Sequence, residues 1–147
     1  MQDFRNLEVW KKAHELALDV HRTLMNQKRI DPNLRSQATR AAQSIPTNIA
    51  EGCGKDSRAE LARFSDIALG SGTELEYHLL LARDLGQLAR KDYDRLSTNT
   101  VFARGAIYAV GAAGLAPTAT VWITSNTIIP SLNASATTYG IYLELLT

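Results

Sequence analysis

Four successive segments of this chain repeat apolar residues at three- and four-residue steps, and short breaks separate them. That spacing gathers the apolar side chains on one face of an α-helix. Four one-faced helices with short connections can bury those faces only against one another, which predicts an all-α fold, an antiparallel up-and-down four-helix bundle. The first helix is predicted over about 6–26, with Leu7, Trp10, Ala13, Leu16, Ala17, Val20 and Leu24 facing inward. Glu8, Lys11, Lys12, Glu15, Asp19 and Arg22 take the other face. Glu8 with Lys12 and Lys11 with Glu15 can pair across one turn.

Asp31-Pro32 opens the second helix, because aspartate caps free amides and proline fits a first-turn position that needs no N–H. Leu34, Ala38, Ala41, Ala42, Ile45 and Ile49 form its buried face, and the alanines let a neighbour approach closely. Pro46 lies inside this pattern and predicts a kink or short break. Gly52 and Gly54 end the helix. Ser57-Arg58-Ala59-Glu60 reads as a capping box, with serine accepting from the first turn and Glu60 reaching back to the cap. Behind it Leu61, Phe64, Ala68, Ser71, Leu75, His78, Ala82 and Leu85 keep a bundle-seam step for about seven turns. Gly70 with Ser71 marks an expected close helix crossing, and Gly86 ends the helix. The fourth begins near Arg90 to Asp92, with Tyr93, Leu96, Thr100, Ala103, Ile107 and Val110 in step.

Beyond Thr100 the composition changes abruptly: only Arg104 and Glu144 are charged. Phe102, Ala106, Tyr108 and Ala109 make the end of the fourth helix apolar nearly all round, so it is expected to be buried on every side or foreign to its context. Pro117 should stop it. This divides the chain into a bundle over 1–116 and an atypical C-terminal extension over 117–147, irregular or in short strands. Val121-Trp122-Ile123 and Tyr139-Gly140-Ile141-Tyr142 are its strand-like runs. The uncharged stretch from Gly105 to Pro130 raises a membrane question, but Gly111, Gly114, Pro117 and several threonines interrupt it, and a span needs about 20 predominantly apolar residues. No membrane association is expected.

Composition narrows the function classes. The 147 residues are 45% hydrophobic and 21% charged, which is globular rather than disordered, and the formal net charge is +1. There is no global pull toward nucleic acid or anionic lipid. The N-terminus lacks the apolar run of a signal peptide, and a single cysteine, Cys53, suits a reducing compartment, so a cytoplasmic location is expected. No phosphate-cradling glycine loop, nucleophile elbow or zinc-protease motif appears. Glu74 and Glu76 precede His78 by four and two, not by the three of a di-iron Glu-x-x-His pair. His14 and His21 share a face of the first helix, where the edge of the core is a better account than a metal site. Cys53 beside Lys55 could be a reactive thiol, although no His-Asn or His-Asp partner is recognisable. No enzymatic activity and no cofactor are therefore expected.

Ser44, Asn48 and Glu51 fall on one stripe of the second helix. They either bind a ligand or, as polar groups beside a core more often do, satisfy backbone groups loosened by Pro46, with Glu51 bonding to another helix or subunit. Lys11, Lys12, Arg35, Arg40, Lys55, Arg58 and Arg63 could gather into a phosphate-binding surface. Asp56, Glu60 and Asp66 interleave with them, which favours an ordinary mixed-charge face.

Phe4-Arg5-Asn6-Leu7-Glu8-Val9-Trp10-Lys11-Lys12-Ala13-His14-Glu15-Leu16, the run from Arg40 through Ser44-Ile45-Pro46-Thr47-Asn48-Ile49-Ala50-Glu51-Gly52, and Ile67-Ala68-Leu69-Gly70-Ser71-Gly72-Thr73-Glu74-Leu75-Glu76 together carry a family resemblance. In this order they closely resemble the bacterial four-helix-bundle proteins encoded in intervening sequences of 23S ribosomal RNA genes. The accessory variability determinants of diversity-generating retroelements are similar. The resemblance covers about 4–96. It implies a cytosolic bundle assembling as a ring, typically a homopentamer, without established enzymatic activity. It also implies family-motif roles for Trp10, Ser44, Pro46, Asn48, Glu51, Gly52, Gly70, Ser71 and Glu74. The function expected is a non-catalytic oligomeric assembly or binding module with a possible protein partner. The alternative is a nucleic-acid-binding accessory protein that uses a basic surface on RNA or DNA, as the retroelement members do.

The family closes on a charged, amphipathic fourth helix, whereas this chain turns uncharged. Either a natural extension packs on the ring, or a reading-frame change near Thr100 replaced the native end. A frame change predicts that another frame of the encoding DNA, read past Thr100, specifies a charged amphipathic helix; sequencing that DNA and finding none removes the idea.

Overall fold

The computed structural model describes residues 3–113 and two short strands at 121–124 and 127–130. After a 3-10 turn at Phe4–Asn6 come four helices: α1 (Glu8–Asn26), α2 (Pro32–Cys53), α3 (Arg58–Asp84) and α4 (Arg90–Ala113). They form the four-helix bundle that the periodicity predicts. α2 packs on α1 and α3, and α4 closes the bundle against α1 and α3. Strands β1 (Val121–Thr124) and β2 (Thr127–Pro130) pair antiparallel, Val121 opposite Pro130 and Thr124 opposite Thr127. The strand-like run Val121-Trp122-Ile123 lies in β1. The expected stop at Pro117 and the run Tyr139 to Tyr142 lie outside the described residues.

The helix ends follow local chemistry. The Asp31 side chain accepts from the backbone N–H groups of Asn33 and Leu34, with Pro32 opening α2. Ser57 Oγ accepts from Glu60 N at 3.1 Å. The returning half of that box does not form: the Glu60 carboxylate turns to Arg63 instead, at 3.4 Å. α3 stops at Gly86, whose φ of +67° suits glycine and lets Gly86, Gln87 and Leu88 donate to carbonyls of the last turn.

Leu24, Ile45, Leu75, Leu79, Leu96 and Ile107 are the largest wholly buried apolar side chains, drawn from all four helices. Each such burial contributes roughly 1.5–3 kcal/mol. Between them stand Ala13, Ala38, Ala42 and Ala68, also wholly buried, which keep the helices close. On α1 Val9 is buried, while Leu7 and Trp10 only flank the core. On α3 Leu79 takes an inward place, His78 is half-buried, and Leu85 is 57% exposed. The step of three and four had put Leu85 inside, but the chain turns out of the bundle at Gly86. The C-terminal half of α4 is not buried on every side either: Val101 and Tyr108 are exposed. Its one polar residue on the inward face, Thr100, is wholly buried and donates to the Leu96 carbonyl at 2.7 Å.

α2 runs through Pro46 without a break. Proline removes the N–H that would reach the Ala42 carbonyl. Beside it, Thr47 Oγ1 donates to the Gln43 carbonyl at 2.9 Å and Asn48 Nδ2 donates to the Ser44 carbonyl at 2.8 Å. Side chains thus add donors in the turn that the proline weakens, and the helix continues.

The close approaches lie at particular glycines. A Cβ on Gly52 would stand 2.9 Å from Phe64 Cβ and 3.0 Å from Leu61 Cδ1. A Cβ on Gly72 would stand 2.7 Å from Arg104 Cγ. Gly70, expected at a crossing, has nothing within 4 Å of that position. The crossing is one and two residues further on, at Ser71 and Gly72. Gly52→Ala is therefore expected to destabilise the bundle by about 1–3 kcal/mol through overpacking. Gly70→Ala should instead stabilise it, by up to about 1 kcal/mol, through helix propensity alone. Urea unfolding of both variants checks the contrast, and equal effects would contradict it.

Candidate functional site

The residues that α2 and α3 place along their shared outer edge form the most organised polar region of the described structure. Ser44 is on α2, one turn before Asn48, and faces Ser71 on α3 with their hydroxyl oxygens 2.8 Å apart. Asn48 Nδ2 lies 3.0 Å from Ser44 Oγ, and Ser71 Oγ lies 3.0 Å from the Ile67 carbonyl. Each hydroxyl has one proton. Ser71 uses its proton on the carbonyl, so Ser44 must donate to Ser71 and accept from Asn48. The chain therefore runs one way, from the Asn48 amide through both hydroxyls to the Ile67 carbonyl.

Beside this chain opens a shallow groove of about 280 Å³ lined by Gln37, Arg40, Ala41, Gln43, Ser44 and Glu74. Glu74 belongs to a stripe of α3 with Ile67, Ser71 and His78 that Leu85, at the helix C-cap, continues, and Ile67 is 40% exposed. His78 Nε2 stands 3.5 Å from Glu74 Oε1, while its buried Nδ1 has no hydrogen-bond partner among the described residues. The stripe thus combines two exposed apolar side chains with serine, glutamate and histidine.

Other expected site residues are placed elsewhere. Glu51 does not cross to another helix; it reaches Lys55 within its own turn, at 3.9 Å. Pro46 is buried, whereas Trp10 is half-buried, between Phe4 at 4.8 Å and His14 stacked at 4.9 Å. His14 and His21 are exposed rather than at the core edge. No group of three or more metal-ligating side chains occurs among the described residues.

The seven basic candidates differ in how they are engaged. Arg35 Nη2 donates to the Gln27 and Ile30 carbonyls, at 2.9 and 3.4 Å, so it ties the α1–α2 connection. Lys11 pairs with Glu8 at 2.5 Å, within a turn but not with the expected Glu15, and Arg63 pairs with Glu60. Lys55 and Arg63 both lie over the Phe64 ring, each 5.4 Å from its centre. Lys12, Arg40 and Arg58 have no ion-pair partner among the described residues.

Cys53 is buried, and burial pushes its thiol up from the ordinary value. It is protonated at neutral pH and poorly placed to attack. Sequence reasoning missed Gln37, Gln43 and Gly72. The signal for Gln37 was available, because Gln37, Arg40 and Ser44 fall at steps of three and four on one stripe.

The family model described as 23S rRNA-intervening sequence protein matches residues 5–108. Among solved structures the chain is similar to a protein of unknown function from the S23 ribosomal protein family of Bacteroides thetaiotaomicron VPI-5482. The two are 25% identical with a TM-score of 0.64, over 69% of this chain and 96% of that one. No curated protein matches.

Two outcomes test the site geometry. Ser44→Ala and Ser71→Ala should each destabilise by about 0.5–1.5 kcal/mol, and the double variant by at least ~0.5 kcal/mol less than their sum; strict additivity in a double-mutant cycle would refute the one-way chain. A colorimetric thiol reagent should label Cys53 slowly in the native protein and rapidly in denaturant. Because burial raises the thiol, the stability it contributes is present below the unfolded thiol's value and is lost as pH rises through the folded one.

Proposed function

The chain belongs to the 23S rRNA-intervening sequence protein family, and we propose that it acts as a non-catalytic helical module that self-associates and binds through the α2–α3 edge. The homopentameric ring is the form that the family resemblance implies. The observation that carries this reading is the use made of the signature polar residues. Ser44, Asn48 and Ser71 hydrogen-bond to one another and to backbone, so they shape the edge rather than offer free groups to a substrate. Ile67 and Leu85 stand exposed along the same stripe as Glu74 and His78. That stripe suits a surface with apolar anchors and a polar surround.

Light scattering on the purified protein should find a defined oligomer, and a clean monomer would sink the proposal. Ile67→Asp and Leu85→Asp should each shift the oligomer toward smaller species without loss of helix content, since both side chains already meet water in the single chain.

A second reading, nucleic-acid binding, draws support from Lys55 and Arg63 flanking Phe64 and from Lys12, Arg40 and Arg58, which have no ion-pair partner among the described residues. It requires assembly to bring these cations together. Binding of this kind weakens steeply with salt, so elution from a polyanion column at low salt, with no gel shift on RNA or DNA, would exclude it.

A further inference from the structure

The groove on the α2–α3 edge sets a base on one rim and an acid on the other. Arg40 stands on α2 and Glu74 on α3, and both line it. Ser44 and Ser71 touch, so they mark one level of the antiparallel helix pair. Arg40 comes four residues before Ser44 and Glu74 three after Ser71, which puts the two charges within roughly 2 Å of one level. They are separated across the groove instead, by about the 8–10 Å between packed helix axes. Arg40 has no ion-pair partner among the described residues, and Glu74, its side chain 54% exposed, stands 3.5 Å from His78. Between the rims the side chains are small, Ala41 and Ser44. The Ser44 and Ser71 protons are already committed, so an apolar group above them would leave no donor unpaired.

The outer side of α1 carries the converse. α1 packs on α2 and α4 through its buried stripe. Glu15, Leu18 and Arg22 follow at steps of three and four on the other side, so they share one stripe. Leu18 is 39% exposed. Glu15 and Arg22 are exposed too, and neither has an ion-pair partner among the described residues. Along the helix they stand about 10.5 Å apart, with Leu18 between them.

Acid, apolar and base on α1 thus answer base, groove and acid on the edge, over nearly the same span. A helix laid across α2 and α3 would set Glu15 on Arg40 and Arg22 on Glu74, with Leu18 over the groove. Complementary charge of this kind selects a partner and fixes its register. Two α2–α3 edges face to face would also match in sign. They would set groove against groove, however, and an empty space forfeits the contacts that packing supplies. The α1 stripe brings Leu18 to fill it. The two faces lie on different helices, so one copy can use both at once, in a head-to-tail contact.

We infer that the α1 stripe of a second copy of this chain docks across the α2–α3 edge, Arg22 on Glu74 and Glu15 on Arg40. The inference rests on self-association through this edge and names the face that meets it. Light scattering over a dilution series of the full-length chain tests it. Arg22→Glu and Glu74→Arg should each raise the dissociation constant at least about tenfold with helix content retained, and the double variant should return it to within about threefold of the unmodified chain. Weakened single variants without recovery in the double variant would overturn the docking and leave self-association through the edge standing. Recovery in Arg40→Glu/Glu74→Arg instead would overturn it by making two like edges the contact. Single variants without effect would overturn it as well, while the response to Ile67→Asp decides the edge reading separately. A monomeric unmodified chain removes both. Crosslinking gives a readout free of charge changes. In a Cys53→Ala background, Leu18→Cys together with Gln37→Cys and a short bismaleimide should join chains into multiples of the chain mass on a denaturing gel. Either substitution alone should not. Products from one alone, or none from the two together, refute the docking.

Discussion

The approach of α2 to α3 governs the geometry of the bundle. At one end a missing Cβ at Gly52 admits Leu61 and Phe64. Along the middle the inward face of α2 is mostly alanine, so two backbones can approach where larger residues would separate them. Small faces bring helices together but grip weakly, because they offer little surface to interdigitate. The hydroxyl contact between Ser44 and Ser71 adds a directional constraint there. Since each hydroxyl must both give and accept, the contact forms in one register only.

α4 is held differently. Its inward face is apolar, but its lateral position is fixed by ion pairs at both edges. Arg104 reaches Glu76 across Gly72 on the α3 side. Arg95 reaches Asp19, Thr23 and Asp92 on the α1 side. The hydrogen bond to Asp19 pushes the Arg95 guanidinium further above its ordinary value. Partly exposed pairs add little net stability, yet each is satisfied at only one offset between helices. Register in α4 thus comes from charge and stability from burial.

Charge also bears on what the surface can bind. Several of the basic residues are engaged: Arg35 by loop carbonyls, Lys11 and Arg63 by glutamates one turn away. A guanidinium bonded to backbone has less to offer a phosphate. Lys12, Arg40 and Arg58 have no ion-pair partner among the described residues. The α2–α3 edge is more coherent, because helical steps align its apolar and polar side chains along one stripe.

The sequence by itself determined the number of helices, the boundaries of most and the residues of the core, because periodicity, caps and glycine stops are local properties of the chain. Asp31-Pro32, Ser57 and Gly86 act as their types require. Only the tertiary structure decided which small residue marks a crossing, since Gly70 and Gly72 are indistinguishable until a neighbour stands beside one of them. It also decided whether a charge is free. Lys11 could choose between Glu8 and Glu15, Glu60 between the cap and Arg63, and Arg35 could not be known to reach carbonyls of a preceding loop. Helix formation depends on neighbours along the chain, whereas contact and pairing depend on neighbours in space, which the spacing of residues does not specify.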